Sequence, residues 1–536
     1  MLPRYETDVT EPRVGSNKAT GLSERAAVPG RSLRGTVAAS WHRHQDLLSN
    51  AGSLLATTGV TSALGFIYWA FAAREFRQTD VGYSSAAVSA MTLLGTIGML
   101  GLGTLLIGEL PRRSRRAGLV SASLVVCGLG SFVLGLAFVA VAPHLSARFA
   151  NMVGSPVQAA LFTAGVALTG VSLVFDQATI GLMRGGLQLW RNSVVSVVKM
   201  LVLAATAITL HDRFGAGITL SWVVGIALSL AAMALRLRLG GTRVLRRPDW
   251  GVLRGLGRTA MAHNWLNLAI MMPTSLLPVL VTVIVSPSAN AAFYIATMIT
   301  GFVFIVPSHL ATVLFAVVAA DPKVIARKMR FALRVSFLIG LPGMAALILG
   351  AHLLLGLFGK SYAADATLPM WLMTLGYPAA VPKALYIAVC RANGKIARAA
   401  VVLSACSTAE LAVAAAGGVK GGLVGLSFAL LAVRYAEALV TAPPVLRAAF
   451  GHGRHRRAES TAGGFAAGPA AYPALAETSM RVQQEAGLAA LLALATTTSA
   501  PGPLPRSRGN ERLNRSRYHP AAAEYSAVRQ VEVSER

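Results

Sequence analysis

The residues able to do chemistry in this chain are few, and most of them lie inside long apolar stretches. Asp176, Lys199, Lys383, Glu410, Arg434 and Glu437 each interrupt an otherwise hydrophobic run. An ionisable group within a membrane-spanning helix costs about 2.5–3.5 kcal/mol on insertion scales unless it is paired or hydrated, so each is a functional candidate. A lone cation there can attract an anionic group, and a lone carboxylate can carry a coupling proton or cation. Asp176 and Lys199 both fall about six residues, or ~9 Å, from the same end of consecutive runs, so they could meet. That meeting has two readings. One is a structural ion pair. The other has Lys199 facing a cavity while Asp176 tunes it or carries a coupling proton.

Arg184, Gln188, Asn192, Val195 and Lys199 follow helical i, i+4 spacing, a mostly polar stripe if the helix continues through Arg191. Gly185-Gly186 makes a break an equal reading. Arg184, Arg191 and Asn192 form either an ordinary basic loop or a cationic cavity entrance, for which arginine's bidentate contacts suit phosphate. A later run opens with His263-Asn264, places Asn267 three residues on, and contains Pro273 and Pro278. Asn264 and Asn267 can bind hydroxyls or bond to a neighbouring helix. Lys383 sits among Tyr377, Pro378, Pro382 and Tyr386, either lining a cavity or snorkelling to the surface. Glu410 has no charged partner in its own run and is the second coupling candidate beside Asp176. Arg434 and Glu437, three residues apart, are expected to pair with each other. His309 beside Pro307 is expected to be a satisfied interior histidine.

The elements that position these residues follow from composition. The chain has 536 residues, 54% hydrophobic and only 13% charged, where a soluble globular protein carries about 25% charged residues. This excludes a soluble enzyme, a disordered regulator and a disulfide scaffold. Twelve apolar runs are read, at 54–73, 86–108, 119–142, 159–182, 193–210, 218–236, 260–285, 291–318, 332–357, 368–390, 398–416 and 421–441. Each is close to the roughly 20 residues that cross a ~30 Å hydrocarbon core as a helix. The expected fold class is an all-α polytopic membrane protein of twelve transmembrane helices.

The net charge of +27 is distributed by topology. The second, sixth and eighth connections hold clusters such as Arg112, Arg113, Arg115 and Arg116, or Arg243, Arg246 and Arg247. Odd connections hold little beyond Arg74, Arg77, Arg148, Arg213, Lys360 and Lys420. By the positive-inside rule this places both termini in the cytoplasm. Nucleic-acid binding is not expected, because the basic residues form no single patch. The long basic sixth connection divides the chain into six helices plus six. The expected organisation is a disordered cytoplasmic arm 1–49, an N-terminal six-helix lobe 50–236 and a basic cytoplasmic linker 237–259. A C-terminal six-helix lobe 260–448 and a disordered cytoplasmic tail 449–536 follow. A faint echo supports parallel halves: Asn50 and Tyr83 in the first, Asn264 and Tyr294 in the second.

No Walker A, HExxH, CxxC or GxSxG pattern occurs, and Cys127, Cys390 and Cys406 have no metal-ligand spacing. No cofactor, metal or catalytic residue is expected. No cleaved signal is expected before the first run. A membrane-embedded glycan polymerase or ligase needs carboxylates on a sizeable outer segment. Here only Glu75, Asp80, Asp212 and Asp365 fall on the outer side.

Several short patterns then resemble one family. They are Ala73-Arg74-Glu75-Phe76, Asp80-Val81-Gly82-Tyr83, Gly101-Leu102-Gly103, Leu110-Pro111-Arg112 and Leu357-Phe358-Gly359-Lys360-Ser361-Tyr362-Ala363. Over residues 50–448 the chain resembles the polysaccharide (O-antigen type) flippases of the multidrug/oligosaccharidyl-lipid/polysaccharide exporter superfamily. The resemblance implies two six-helix lobes around a central cavity and alternating access. It also implies a polyprenyl-pyrophosphate-linked oligosaccharide as substrate, in the cytoplasmic membrane of a bacterium, for cell-surface polysaccharide biosynthesis. Membrane lipids and a polysaccharide polymerase or glycosyltransferases would be its partners. In that frame Lys199, Arg184, Arg191, Asn192, Asn264, Asn267 and Lys383 would bind substrate, and Asp176 and Glu410 would couple. A cation-coupled multidrug or metabolite exporter of the same fold is the alternative, and a glycan polymerase or ligase the rival from another class.

Overall fold

A computed structural model describes residues 62–451, apart from 113–115, 183, 210–215, 241–247 and 321–324. The arm 1–49, most of the tail and Arg213 lie outside the described residues. Among the described residues the chain is all helix, with no strand. It is a multi-pass membrane protein: eight helices are long and apolar enough to cross a bilayer, and two bent helix pairs raise this to ten.

In chain order the helices are α1 (62–75), α2 (Gln78–Gly98), α3 (Leu102–Glu109), α4 (Arg116–Leu145) and α5 (Ala147–Val153). There follow α6 (Pro156–Gly181), α7 (Gly185–Thr209), α8 (Ala216–Leu239), α9 (Trp250–Ile284) and α10 (Pro287–Ala320). The last four are α11 (Ile325–Gly356), α12 (Lys360–Leu375), α13 (Tyr377–Ala392) and α14 (Ile396–Phe450). The helix α9 begins inside the segment 237–259 read as a linker. Leu253 packs there on the apolar cluster of Leu106, Leu119 and Val174, and the Asp249 N–H donates to the Gly118 carbonyl at 3.1 Å.

Local sequence explains where the helices stop and bend. Ser155 caps α6 through a capping box with Gln158, and Pro156 sits at its first turn, where a missing N–H costs nothing. Between α2 and α3 the backbone turns left-handed at Leu100 and Gly101, and the axes bend by 56°. Between α12 and α13 the bend is 48°, at Gly376-Tyr377-Pro378, where proline removes a helix N–H and restricts the residue before it.

The 55-residue α14 would span about 80 Å if straight, over twice a hydrocarbon core. It is not straight. Gly421 and Gly422 leave helical geometry, and Gly422 adopts φ 56° with ψ −142°, a conformation open only to glycine. The Lys383 ammonium bonds both Glu410 and Glu437, which one straight helix would hold about 40 Å apart. The chain therefore reverses at Gly421-Gly422.

Apolar side chains pack in two ways. Leu129, Val133 and Leu136 of α4 and Leu338, Leu349 and Leu353 of α11 are exposed, as lipid-facing residues should be. Inside, one core cluster joins both halves of the chain: Tyr68, Trp69 and Val81 meet Val281, Phe293, Leu355 and Phe358. Polar contacts lock the same end. Asn290 Nδ2 donates to the Gly82 carbonyl (2.8 Å) and to Ser85 Oγ (3.0 Å). Arg148 Nη1 donates to the carbonyls of Thr282 (3.0 Å) and Val283 (2.8 Å). Arg74 Nε reaches the Leu357 carbonyl at 2.8 Å, and Gln78 Nε2 reaches Asp365 Oδ2 at 3.1 Å. In the topology expected from the charge alternation, this is the outer end.

Gly82 permits the closest approach, since any Cβ there would overlap the Pro287 carbonyl oxygen. Overpacking typically costs about 1–3 kcal/mol, enough to shift an open–closed equilibrium on the order of tenfold or more. Gly82→Ala is therefore expected to speed maleimide labelling of a cysteine placed at buried Ala291 by about tenfold. The native thiols are buried and give little background. Unchanged labelling in a folded variant would show that Gly82 does not control this closure.

Candidate functional site

Among the described residues, three charged constellations within the bundle involve the expected site residues. The first joins α6 to α7. Arg191 Nη2 and Nε donate to Asp176 Oδ2 (2.6 Å) and Oδ1 (3.1 Å), Nη1 donates to Ser172 Oγ (2.7 Å), and Nη2 also reaches Asn192 Oδ1 (2.8 Å). Arg191 is only 1% exposed. A planar guanidinium gripping a carboxylate with two parallel bonds is the strongest geometry such a pair can adopt.

This corrects two sequence expectations. Asp176 pairs with Arg191, not Lys199, and Arg191 is a buried helical residue rather than a loop cation at a cavity entrance. The cause is the start of α7 at Gly185 rather than near 193. Arg191 then lies about as far into α7 as Asp176 lies from the end of α6, whereas Lys199 stands about 12 Å farther along. Asn192 is held by the same pair. Arg184 is exposed beside the first turn of α7.

Lys199 forms the second constellation. It is 7% exposed, yet no carboxylate among the described residues pairs with it. Its ammonium lies over the Tyr68 ring (4.6 Å to the centroid) and the Trp222 ring (4.4 Å). Trp69 and Tyr294 extend the cage, with ring centroids 4.8 Å apart. The Tyr68 hydroxyl is fixed against Ser221 Oγ at 2.7 Å, and Gly225 leaves room against the Lys199 stem. Ring faces compensate a cation partly, at about 2 kcal/mol when desolvated, and leave its protons free for an anion. The sequence carries no local signal for these aromatic partners. Tyr68 and Trp69 fall in the first run and Trp222 in the sixth, and only packing of α1 and α8 around α7 gathers them.

The third constellation joins α13 to both arms of α14. Lys383 Nζ donates to Glu410 Oε1 and Glu437 Oε2, each at 2.9 Å. Both glutamates are buried, and Glu437 Oε1 has no hydrogen-bond partner. Glu410 is thus not isolated, and Glu437 does not pair with Arg434. The Arg434 guanidinium instead lies over the Phe304 ring, 5.6 Å from its centroid. Two carboxylates share one ammonium and the Arg434 guanidinium also acts on Glu410, so a proton or small cation would bind at Glu437, whose Oε1 is unpartnered.

Of the remaining candidates, Asn267 Nδ2 donates to Thr104 Oγ1 at 3.0 Å, tying α9 to α3. Asn264 is buried with its Oδ1 unpartnered, and the side chain of His263 lies outside the described residues. His309 is exposed and bonds the Ile305 carbonyl through Nδ1 at 3.1 Å, so it is not interior. The structure therefore joins Arg191 and Asn192 to Asp176, and Lys383 to Glu410. Lys199, Arg184 and the two asparagines stand apart from those clusters.

No family model matches the chain, and no curated protein matches its sequence. Solved structures do match its fold. A multidrug resistance MATE family transporter of the MOP superfamily, in an inward-facing conformation, superposes with a TM-score of 0.55 at 15% identity, covering 72% of this chain and 94% of that one. The lipid II flippase MurJ, in an inward closed conformation, gives 0.53 at 13% identity, covering 84% and 93%. A mutant of the Vibrio cholerae MATE transporter VcmN gives 0.50 at 15% identity, covering 75% and 98%. The chain has the fold these transporters share.

Proposed function

We propose that this chain is a flippase moving a polyprenyl-pyrophosphate-linked oligosaccharide across the bacterial cytoplasmic membrane by alternating access. Lys199 is the observation that carries the reading. It is a buried ammonium, caged by aromatic rings, with no carboxylate among the described residues to neutralise it. Such a site favours an anionic headgroup and disfavours an organic cation. The likeness to a lipid II flippase supports the substrate class, and the closed outer end supports a state awaiting substrate from the cytoplasm. With α1 counted as a span, each bent pair as one span and α14 as two, twelve spans is the count we adopt. Lys383, Glu410 and Glu437 would form the coupling site, and a polysaccharide polymerase or glycosyltransferases would act beside the flippase.

The likeness to multidrug transporters supports the exporter reading equally, and the carboxylate pair of Glu410 and Glu437 is what favours it. A glycan polymerase is less well supported, since the outer carboxylate Asp365 is engaged by Gln78. The deciding experiment uses proteoliposomes with a fluorescent polyprenyl-pyrophosphate oligosaccharide in one arm and a fluorescent organic cation in the other. Flipping is expected for the wild type. A neutral Lys199→Gln variant should be slowed by at least about tenfold, on the scale of a lost charge-assisted contact. Cation export without glycan flipping would replace this reading with the exporter.

A further inference from the structure

A second cationic site lies away from Lys199, at the end of the bundle where α13 turns into α14. There a cavity of about 370 Å³ is lined by Tyr386, Asn393, Lys395, Arg398, Pro444 and Arg447, among others. Three of these are basic, and among the described residues none that lines the cavity is acidic. Lys395, Arg398 and Arg447 are all exposed. The nearest carboxylates along the same helix, Glu410 and Glu437, are already held by Lys383.

The placement of two of these cations is unfavourable without a ligand. Lys395 is the residue preceding the first turn of α14, and Arg398 lies within that turn. No side chain caps this end, and no acidic residue sits in its first turn. A helix N-terminus carries about half a positive charge and its own unsatisfied N–H groups. Basic residues there add to that field instead of opposing it. The third cation, Arg447, comes from the opposite end of α14 and is brought alongside by the reversal at Gly421-Gly422. Arg330 closes the same region by donating to the Ala449 carbonyl at 2.9 Å.

The surroundings distinguish a lipid from a free anion. One side of the cavity is apolar, formed by Val389, Cys390 and Ala448. Leu446 and Phe450, on the same last turns of α14, are 49% and 57% exposed. A cationic mouth beside exposed apolar helix surface matches a phosphate attached to acyl chains. The basic connections place this end at the cytoplasmic face, where anionic lipids concentrate.

We propose that this cavity binds the phosphate headgroup of an anionic membrane lipid in the cytoplasmic leaflet. Lys395, Arg398 and Arg447 would hold the phosphate, Tyr386 and Asn393 would offer hydrogen bonds, and Leu446 and Phe450 would lie along the chains. The proposal does not rest on the flippase reading, because the site is remote from the Lys199 cage and would serve any transporter of this fold.

Native mass spectrometry of the full-length protein in detergent tests it, with dioleoylphosphatidylglycerol, dioleoylphosphatidylcholine and sodium pyrophosphate as probes. Phosphatidylglycerol is expected to bind in preference to phosphatidylcholine. Lys395→Gln, Arg398→Gln and Arg447→Gln should each weaken it about fivefold, and the Lys395→Gln/Arg398→Gln pair about twentyfold. Arg238→Gln, an equal charge change at an exposed arginine of α8, should weaken it less than twofold. Equal losses in the Arg238 variant would overturn the proposal in favour of adsorption by total charge. Pyrophosphate binding to the wild type, with no preference between the two lipids, would assign the pocket to a free anion instead. These side chains are exposed, so folding should survive, and unchanged affinity in the paired variant would also refute the site.

Discussion

Replacing Lys383 with methionine is expected to destabilise the protein by about 3–5 kcal/mol, because it strands two buried carboxylates whose shared counter-cation is gone. The loss would be read as a fall in thermal midpoint in detergent. The ammonium touches Glu410 and Glu437 at 2.9 Å each, and among the described residues neither glutamate has another basic partner in hydrogen-bond reach. The triple variant Lys383→Met, Glu410→Gln, Glu437→Gln removes the charges together and should recover most of that stability, since a buried ionic cluster contributes little net energy over a neutral one. The rescued protein separates structure from function. If the cluster couples transport, the triple variant should flip or export substrate without responding to an imposed proton or sodium gradient. A stable Lys383→Met single variant would mean that one glutamate is protonated in the resting protein.

The second large effect concerns Arg191. Arg191→Met should also cost about 3–5 kcal/mol, because it leaves the Asp176 carboxylate uncompensated beside Ser172. Arg191→Lys keeps the charge but cannot reproduce two parallel bonds plus a third to Ser172, so an intermediate loss is expected. Pairing Arg191→Met with Asp176→Asn should restore much of the midpoint. Lys199→Met gives the informative contrast. Lys199 neutralises no carboxylate among the described residues, so removing it should leave the midpoint unchanged or raise it, even if substrate handling collapses. A destabilisation as large as that of Arg191→Met would instead make Lys199 a structural residue. Both variants lie in α7, less than three turns apart, so opposite signs would not arise from a general intolerance of that helix.

How much of this was legible beforehand depended on the range of the interaction. The spanning helices could be read because hydropathy is a local property: a run of apolar residues must be helical in a bilayer whatever its neighbours do. The bends are not read from the sequence: 86–108 and 368–390 each read as one run, although Gly101 and Pro378 lie at the breaks, because the angle depends on how the two segments pack. The start of α7 was misplaced by about two turns, since Gly185-Gly186 weakens a helix signal that packing against α8 restores. That single shift exchanged Lys199 for Arg191 as the partner of Asp176. The pairing of Arg434 with Glu437 failed differently. Spacing along one helix permitted it, but Lys383 lay closer across the interface and Phe304 offered Arg434 a ring face.

What the sequence determined by itself was a membrane protein of many helices and the residues too polar to be there without a reason. Each of these follows from the solvation of one segment at a time. Only the tertiary structure decided who neutralises whom. It reversed α14 at Gly421-Gly422, brought Glu410 and Glu437 to one ammonium, and gave Arg191 to Asp176. It also left Lys199 among aromatic rings from α1 and α8. Those choices depend on distances between residues far apart in the chain. Coulomb energy in a low-dielectric interior changes steeply over a few ångströms, far less than the uncertainty in where a helix begins.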